Sequence, residues 1–445
     1  MKEREKLGSR LGFILISAGC AIGIGNVWKF PYMAGQGGGG TFVLFYLIFL
    51  ALLGLPVMTM EFSVGRASQK SPVKAYYALE KPGQKWHIHG YITLIGCYLL
   101  MMFYTTVGGW MLAYFFKIAS GTFTGLDTEA VGNVFNTMLS NPGEMTFWMV
   151  IVTAFGFGTC CMGLQKGVER ITKVMMVCLL TIMVVLCVKS CTLPGAIEGI
   201  KFYLLPDFGR LKENGLLSGI YAAMGQAFFT LSLGIGAMAI FGSYIDKDRS
   251  LMGESIQIGI LDTFVALMAG LIIFPACFAY NVSPTQGVGL VFVTLPNMFN
   301  QMMGGRFWGA LFFIFMTFAA LSTIIAVFEN ILSFAMDLWG WSRKKAVSGK
   351  RNLQSLFYPC HAYLVSTYGA DFQPLGAGST IQDLEDFIIS NNLLPLGSLV
   401  YLLFCVTATD GDGTISSKKR IQETALNSRS GHVHILPMYC RLLYC

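Results

Sequence analysis

Glycines and an asparagine interrupt an apolar stretch that covers residues 10–32. The stretch is long enough for a membrane helix, because about 20 residues rising 1.5 Å each cross a hydrocarbon core of roughly 30 Å. Its centre holds Gly19, Gly23, Gly25 and Asn26, which weaken a helix where lipid most demands one. A break at that depth is tolerated where it lines a cavity, and its free amides and carbonyls can then bind an anion and a cation. The alternative is a flexible glycine-rich helix that only packs against its neighbours.

Two further polar features lie inside apolar stretches. A second interrupted stretch covers residues 221–243, with Gln226–Gly236 at its centre. A later apolar stretch carries a polar notch at Ser322 and Thr323, shortly after Ala319. Hydroxyls in membrane helices usually bond back to a carbonyl one turn earlier, so the notch alone would indicate packing. It becomes a candidate ligand set only if the two breaks face it.

Composition indicates the elements that position these groups. Hydrophobic residues make up 54% of the 445 residues and charged residues only 12%, which is typical of a polytopic membrane protein rather than of soluble domains. The twelve cysteines mostly lie in apolar runs without metal-type pair spacing, so we interpret them as small buried hydrophobes. The net charge of +7 is interpreted as a signal of topology, and no nucleic-acid partner is expected. The sequence therefore predicts an all-α polytopic membrane protein.

Nine apolar runs predict membrane spans. They lie near residues 10–32, 40–62, 88–116, 145–164, 172–192, 216–243, 256–280, 307–335 and 387–406. Most Lys and Arg residues outside the spans lie at the N-terminus and in alternate loops, which predicts a cytoplasmic N-terminus. The interrupted helices are the first and sixth spans and have opposite predicted orientations. This pattern favours an inverted repeat of five plus five helices around a site at the membrane midplane.

Several ordered motifs resemble those of the neurotransmitter:sodium symporters, particularly the bacterial sodium-dependent amino-acid transporters. The motifs are Gly19–Pro31, Glu61–Arg66, Gln226–Gly236 and Ser243–Asp248, and the resemblance covers residues 5–345 and resumes at 372–406. It implies the five-plus-five transporter fold with broken helices 1 and 6. It also implies sodium-coupled import of an amino acid by alternating access, in a bacterial cytoplasmic (inner) membrane.

The resemblance implies two sodium sites. The first would use the carbonyls of Ala21 and Thr230, the Thr230 hydroxyl, Asn26, Asp262 and the substrate carboxylate. The second would use the carbonyls of Gly19, Ile22 and Ala319 with the hydroxyls of Ser322 and Thr323. All are oxygen ligands, which suit a hard cation.

The family more often has Asn where this chain has Asp262, and its chloride-dependent members supply a nearby negative charge with the anion. A fixed carboxylate therefore predicts that chloride is not required and allows proton countertransport on the return step; the alternative is a helix-capped Asp near the membrane edge.

The resemblance also implies a substrate site. The substrate carboxylate would meet the Tyr104 hydroxyl and the amides near Gly23 and Gly25, and its ammonium would meet carbonyls around Ala21, Phe229 and Ser232. The substrate side chain would lie among Leu100, Tyr104, Phe229, Ile235 and Val327. A zwitterion is neutral overall, whereas an unpaired charged side chain in this wall would cost several kcal/mol. The expected substrate is a neutral aromatic or branched amino acid, with tyrosine, tryptophan or phenylalanine ahead of leucine.

Charged residues at both ends of the spans are candidates for gates. The resemblance pairs Lys29 with Asp386 as the outer gate, where the family more often has Arg, and Arg4 with Asp337 as the inner gate. The alternative for either pair is a surface salt bridge worth under about 1 kcal/mol. The resemblance also implies a structural role for Glu61, which would hydrogen-bond to the break in the first span.

Two segments depart from the family pattern, so we divide the chain into a transporter core at residues 1–406 and an aberrant polar tail at 407–445. Segment 346–371 is too polar for the expected ninth span, and the eleventh span is missing. Codons for residues 408–416 can be read in another frame as Arg-Tyr-Gly-Trp-Gly-Trp-Asp-Asn-Phe, which resembles the family's link after span ten. We hypothesise a compensated frame disturbance within 346–371 and an uncompensated one near 407. A genuine divergent tail is the alternative.

Other functions are weighed against transport. The alternatives are a non-transporting membrane sensor or channel of the same fold, or an inactive pseudogene product. An enzyme is not expected, because Gly23-Ile-Gly25 lacks the third glycine and the preceding strand of a dinucleotide fingerprint. The five histidines lie in predicted loops or in the doubtful segments; they are His87, His89, His361, His432 and His434. Expected partners are an amino acid, sodium and membrane lipid, and no protein partner is identified.

Overall fold

The computed structural model describes residues 5, 7–213, 215–245, 249–280, 282, 289–349, 373–376 and 379–407. Most of segment 346–371 and all of 408–445 lie outside these residues, as does Arg4. The hypotheses on the ninth span and on the tail therefore concern residues outside the described structure.

Long helices dominate the described residues. In chain order they are α1 (Arg10–Ala21), α2 (Gly25–Gln36), α3 (Gly40–Ser68), α4 (His87–Ser120), α5 (Pro142–Cys161), α6 (Leu164–Cys191), α7 (Leu216–Thr230), α8 (Ala237–Gly242), α9 (Leu251–Ala279), α10 (Gly305–Trp339) and α11 (Ile381–Thr407). Short helices cover Pro72–Leu79, Thr128–Leu139, Ala196–Leu204, Phe208–Glu213, Leu290–Thr294 continued by Leu295–Gln301, and 343–349. In the described parts, seven helices are long and apolar enough to cross a membrane, and α1 with α2 forms an eighth, bent crossing.

The first predicted break lies between α1 and α2. Ser9 caps α1 by accepting a hydrogen bond from the Gly12 amide at 2.9 Å. The helix stops at Ala21 because Ile22 takes an extended conformation, with φ −72° and ψ 95°. The axis turns by 53° before α2 continues the crossing. The chain therefore leaves peptide groups without helical partners in the middle of this crossing.

The second predicted break lies between α7 and α8. Leu231 to Gly236 form turns rather than a helix, and three of these residues have left-handed backbone: Ser232 (φ 51°), Gly234 (φ 87°) and Gly236 (φ 73°). Glycine tolerates this conformation without the steric cost that a Cβ brings. The glycines that weakened the helix in the sequence are therefore the residues that permit the break.

Helix α10 lies at the centre of the bundle. In its most apolar window 83% of the residues are buried, compared with 39% in α5, α6 and α11. Its Phe328 ring stacks on Phe157 of α5 at 4.1 Å, and Cys160 of α5 donates a hydrogen bond to the Ile325 carbonyl. The polar notch predicted from Ser322 and Thr323 is thus carried by the most enclosed helix.

Helix α11 packs directly on the second break. A Cβ built on Gly397 would clash with the backbone of Gly234, and one built on Gly234 would clash with the Leu394 carbonyl. The two backbones therefore touch with no side chain between them. A small apolar cluster, separate from the main core, extends this contact; it comprises Met60, Val64, Ala75, Tyr76, Leu79, Ala239, Tyr401, Phe404 and Cys405.

Candidate functional site

Five oxygen atoms from α1, its break and α10 gather into a neutral oxygen cluster. They are the carbonyls of Gly19, Ile22 and Ala319 and the hydroxyls of Ser322 and Thr323. The Thr323 hydroxyl lies 3.2 Å from the Gly19 carbonyl, 3.5 Å from that of Ile22 and 3.5 Å from that of Ala319. The Ser322 hydroxyl lies 3.3 Å from the Ile22 carbonyl and 3.0 Å from the Ala319 carbonyl. The structure therefore brings together every residue of the second predicted sodium site.

A second group, the charged cluster, joins α2, α7 and α9 through Asn26, Thr230 and Asp262. Asn26 Nδ2 donates to Asp262 Oδ1 at 2.8 Å and to Thr230 Oγ1 at 2.9 Å. Thr230 Oγ1 donates to Asp262 Oδ2 at 2.8 Å, and Tyr46 of α3 donates to the same oxygen at 3.3 Å. Asn26, Thr230 and Asp262 are fully buried. Three side chains of the first predicted sodium site thus meet, and Tyr46 is a partner that the sequence did not suggest.

The Asn26 amide is oriented by the first break. Its Oδ1 accepts a hydrogen bond from the Gly23 amide at 3.2 Å, which leaves Nδ2 facing Thr230 and Asp262. This arrangement satisfies the carboxylate with hydrogen-bond donors. A half-turn of the amide would exchange Oδ1 and Nδ2 and present three oxygen-bearing side chains to a cation.

A small cavity lies between the two breaks. Its lining comprises Ala21, Leu100, Tyr104, Phe229, Ser232, Ile235, Thr323 and Leu394. The first six belong to the predicted substrate site. Val327 is fully buried in α10 but is not among these lining residues. Leu394 of α11 also lines the cavity and was not predicted from the sequence.

The predicted glycines border the cavity through backbone. A Cβ on Gly23 would clash with the hydroxyls of Tyr104 and Thr323, and a Cβ on Gly25 would clash with the Phe229 ring. The Tyr104 hydroxyl lies beside the backbone amides at residues 24 and 25. Glycine here lets side chains approach the peptide groups of the break closely. The amides at residues 24 and 25 and the Tyr104 hydroxyl together form a set of donors suited to a carboxylate.

Hydrogen bonds join the two breaks to each other. Ser232 Oγ donates to the Cys20 carbonyl at 3.1 Å, and Gln226 Nε2 donates to the Gly25 carbonyl at 3.1 Å. Glu61 Oε1 accepts from the Gly234 amide at 2.5 Å. Glu61 therefore contacts the second break, whereas the sequence reasoning assigned it to the first. The local motif around Glu61 indicates a buried acid, but it does not indicate which of the two breaks the acid contacts.

Lys29 and Asp386 form the predicted pair at one end of the cavity. Lys29 Nζ lies 2.6 Å from Asp386 Oδ2 and 2.8 Å from Oδ1, and it donates to Ser390 Oγ at 2.9 Å. It also lies 4.2 Å from the centre of the Phe229 ring, a cation–π distance. Ser390 was missed, although it follows Asp386 by one helical turn. The side chains remain 21% and 35% exposed, so the pair is accessible to solvent.

Arg343 is paired with Glu329 near the end of α10. Arg343 Nη1 and Nη2 contact the two carboxylate oxygens of Glu329 at 2.6 and 2.9 Å, and Nη2 contacts Glu5 at 2.6 Å. Tyr244 donates to Glu329 at 3.1 Å. Burial lowers the pKa of Arg343, but the Glu329 carboxylate outweighs it and holds that pKa above its ordinary value, so the guanidinium stays charged.

The predicted Arg4–Asp337 pair is only partly described. Arg4 lies outside the described residues, and Asp337 Oδ2 accepts the Ser71 amide at 2.5 Å. In the described part of the chain, no group of three or more His, Cys, Asp or Glu residues is arranged to hold a metal. The candidate cation ligands are instead carbonyls, hydroxyls, one amide and one carboxylate.

Two interrupted helices that face a shared cavity and carry clustered oxygen atoms define a membrane transporter built around broken helices. The model of the sodium:neurotransmitter symporter family matches residues 4–138 and 129–370. The chain therefore belongs to the sodium:neurotransmitter symporter family, whose members are sodium-dependent transporters.

Individual relatives agree with this assignment. The uncharacterized sodium-dependent transporter YhdH of Bacillus subtilis is 36% identical over 408 residues, which is 91% of this chain and 88% of the relative. The uncharacterized sodium-dependent transporter MJ1319 of Methanocaldococcus jannaschii is 29% identical over 95% of this chain and 86% of its own length. The crystal structure of MhsT in complex with L-phenylalanine matches with a TM-score of 0.82 and 34% identity, covering 99% of both chains. The predicted family and fold class are confirmed.

Proposed function

We propose that this chain imports a neutral amino acid, aromatic or branched, together with sodium by alternating access. The cavity between the two helix breaks carries the proposal. It places a small, mostly apolar volume beside free amides, a tyrosine hydroxyl and two sets of cation ligands. A zwitterion fits such a site, because its two charges meet opposite partners and its net charge is zero.

Two sodium ions are the proposed co-substrates. The neutral oxygen cluster would hold one ion through carbonyl and hydroxyl oxygens alone. The charged cluster would hold the other after Asn26 turns its Oδ1 toward Thr230 and Asp262, with the Ala21 and Thr230 carbonyls and the substrate carboxylate completing the ligands. Sharing the carboxylate makes each ligand increase the affinity for the other, and this linkage is reciprocal.

Chloride is proposed not to be required. Asp262 supplies a buried negative charge within the charged cluster, where it is held by Asn26, Thr230 and Tyr46. A fixed carboxylate removes the electrostatic need for a bound anion. Proton exchange at Asp262 on the return step is part of the same proposal.

The substrate class follows from the cavity wall. Leu100, Phe229, Ile235 and Leu394 offer apolar surface, and no charged residue is among those that line the cavity. A charged substrate side chain would therefore be buried without a partner. The L-phenylalanine bound in MhsT, a protein 34% identical to this chain, supports an aromatic substrate.

The gates and the topology complete the proposal. The Lys29–Asp386 pair would close the outer end, and helices α1, α2, α3, α7, α8 and α9 would rock against the rest of the bundle. The concentration of Lys and Arg at the N-terminus and in alternate loops supports a cytoplasmic N-terminus. The relative from Bacillus subtilis supports a bacterial cytoplasmic (inner) membrane as the location.

Uptake of labelled phenylalanine into liposomes carrying the purified full chain tests the function. We expect uptake under a sodium gradient and none under a matched potassium gradient. Competition should be strongest from tyrosine, tryptophan and leucine. Glutamate, lysine or glycine competing better than these would contradict the substrate class. Sodium-dependent binding without uptake would favour the sensor, and sodium current without substrate would favour the channel.

The reading-frame hypothesis has its own test. Frame disturbances at 346–371 and near 407 would make the chain as written a product with an altered ninth span and tail, and an inactive pseudogene product is then the alternative function. Resequencing the gene through both places settles the question. An undisturbed frame would remove the hypothesis.

A further inference from the structure

Five buried polar atoms without hydrogen-bond partners among the described residues lie on residues between the second break and the start of α4. They are Glu61 Oε2, His89 Nε2 and the hydroxyl oxygens of Ser71, Ser398 and Tyr401. Buried polar atoms are normally satisfied, and water is the usual partner when protein atoms are not. Water molecules are therefore the expected partners of these five atoms.

The contacts place these residues in order from the break outward. Glu61 Oε1 holds the Gly234 amide, and a Cβ added at Gly236 would lie 3.0 Å from the Tyr401 hydroxyl. The Tyr401 ring lies 5.8 Å from the Tyr76 ring and 5.3 Å from the His89 ring. A hydrogen bond of 2.9 Å joins the Tyr76 hydroxyl to His89 Nδ1. His89 lies in the first turn of α4, so the series runs from the second break to the end of that helix.

The other titratable neighbours include Asp337, which accepts a hydrogen bond from the Ser71 amide, and three thiols. Cys20 on α1 and Cys97 on α4 face Glu61, and Cys405 on α11 faces the two tyrosines. Met60, the neighbour of Glu61 in the sequence, lies in the same apolar cluster as Tyr76 and Tyr401. The path is thus lined by groups that exchange protons or accept hydrogen bonds, embedded in the separate apolar cluster around Tyr76 and Tyr401.

We propose that His89, Tyr76, Tyr401 and bound water form a proton route between the Glu61 carboxyl and the surface near the start of α4. In one passage, a hydronium ion at the surface gives a proton to His89 Nε2 and becomes water, and His89 releases its Nδ1 proton to the Tyr76 oxygen. Each tyrosine hydroxyl accepts one proton and releases one, directly or through water, and Glu61 Oε2 receives the last. Every relay group regains its starting state once the imidazole has returned to its first tautomer.

The route would give the second break a proton-dependent contact, because Glu61 holds the Gly234 amide in that break. It concerns proton access to Glu61 and does not depend on which substrate the cavity binds. The predicted topology puts the start of α4 on the cytoplasmic side. The proton would therefore enter and leave from that side.

Infrared spectroscopy of the detergent-purified full chain tests the route without transport. The carbonyl band of protonated Glu61 is assigned by its loss in Glu61→Gln, and its shift after transfer into heavy water reports exchange of the carboxyl proton. We expect exchange about tenfold slower in Tyr76→Phe and in His89→Gln than in the parent, because each removes a relay group.

Tyr77→Phe is the matched control. Tyr77 lies on the same short helix as Tyr76, but its side chain is 49% exposed. We therefore expect the Glu61 carboxyl proton to exchange in Tyr77→Phe at the same rate as in the parent protein. Thermal unfolding of each variant shows whether the fold is kept. If either Tyr76→Phe or His89→Gln fails to fold, the other variant still tests the route. Equal exchange in all variants, or no Glu61 carbonyl band at any pH tested, would overturn the proposal. Failure of sodium-dependent uptake would leave this measurement unaffected.

Discussion

The neutral oxygen cluster and the charged cluster lie beside the same pair of helix breaks but use different chemistry. The neutral cluster relies on carbonyls of α1, its break and α10 with two hydroxyls, and its atoms lie 3.0 to 3.5 Å apart. The charged cluster relies on side chains of three helices, with contacts of 2.8 to 2.9 Å centred on Asp262. Carbonyl groups carry no net charge, so they attract a cation but do not repel one another as like charges would. A carboxylate attracts it more strongly but must be held by donors while the cation is absent.

This contrast predicts different sensitivity to mutation. Loss of one hydroxyl removes one of several equivalent oxygens from the neutral cluster. Loss of the Asp262 carboxylate, in contrast, removes the acceptor to which Asn26, Thr230 and Tyr46 all donate. The following changes test the contrast in order of expected effect.

Asp262→Asn should have the largest effect. It removes a unit charge next to the proposed ion, worth about 4 kcal/mol at 4 Å in an effective dielectric constant of about 20. We expect sodium-dependent phenylalanine binding to be lost in gluconate buffer, and chloride to restore part of it. Scintillation-proximity binding in both buffers is the measurement. Parent protein that itself loses activity in gluconate would refute the role given to Asp262.

Tyr104→Phe should weaken phenylalanine binding by about 1.5–3 kcal/mol, the range for a hydrogen bond to a charged group. The ring is kept, so the cavity wall is unchanged. Equilibrium binding at saturating sodium gives the shift. Tyr98→Phe, which alters another tyrosine of α4 outside the cavity, is the control. Unchanged affinity in Tyr104→Phe would remove this hydroxyl from the site.

Thr230→Val and Thr323→Val remove one hydroxyl from each cluster while keeping the side-chain shape. The Thr230 hydroxyl donates to a carboxylate and the Thr323 hydroxyl lies among neutral carbonyls. We expect sodium affinity to fall by about 2 kcal/mol in the first variant and about 1 kcal/mol in the second. Sodium titrations of phenylalanine binding measure both. The reverse order would break the distinction between the clusters.

Tyr46→Phe should have the smallest effect. Its hydroxyl lies 3.3 Å from Asp262 Oδ2, longer than the other donors to that carboxylate. We expect sodium affinity to change by about 0.5 kcal/mol, at the weak end for a hydrogen bond. The same titration detects this shift. A loss as large as that in Thr230→Val would make Tyr46 a full member of the charged cluster.

The sequence predicted the breaks because their cause is local. Gly23, Gly25 and Gly234 stand in runs that would otherwise be continuous membrane helices, and such an interruption is readable without any partner. Ser322 and Thr323 were identified as a polar notch for the same reason. Their role depended on the breaks facing them, which the family resemblance supplied.

The remaining contacts could not be read locally. Leu394 resembles any lipid-facing leucine, and only the packing of α11 on Gly234 turns it into the cavity. Which break Glu61 contacts depends on how α3 is rotated and packed against its neighbours, and no local pattern specifies this. The orientation of the Asn26 amide depends on the Gly23 amide and Asp262 together. Periodicity determines which face is apolar but does not specify which neighbour each polar group meets.

Groups that meet at the first break are far apart in the sequence, and this has a consequence for biosynthesis. The Gly19 carbonyl meets the Thr323 hydroxyl across 304 positions, and Asn26 meets Asp262 across 236. At 5–20 residues per second, a ribosome needs roughly 15–60 s to add the later partner of the first of these pairs. During that interval the break is already made but its open peptide groups lack their final ligands. The nascent first crossing must therefore be sheltered by water, lipid headgroups or the insertion machinery until α10 is delivered.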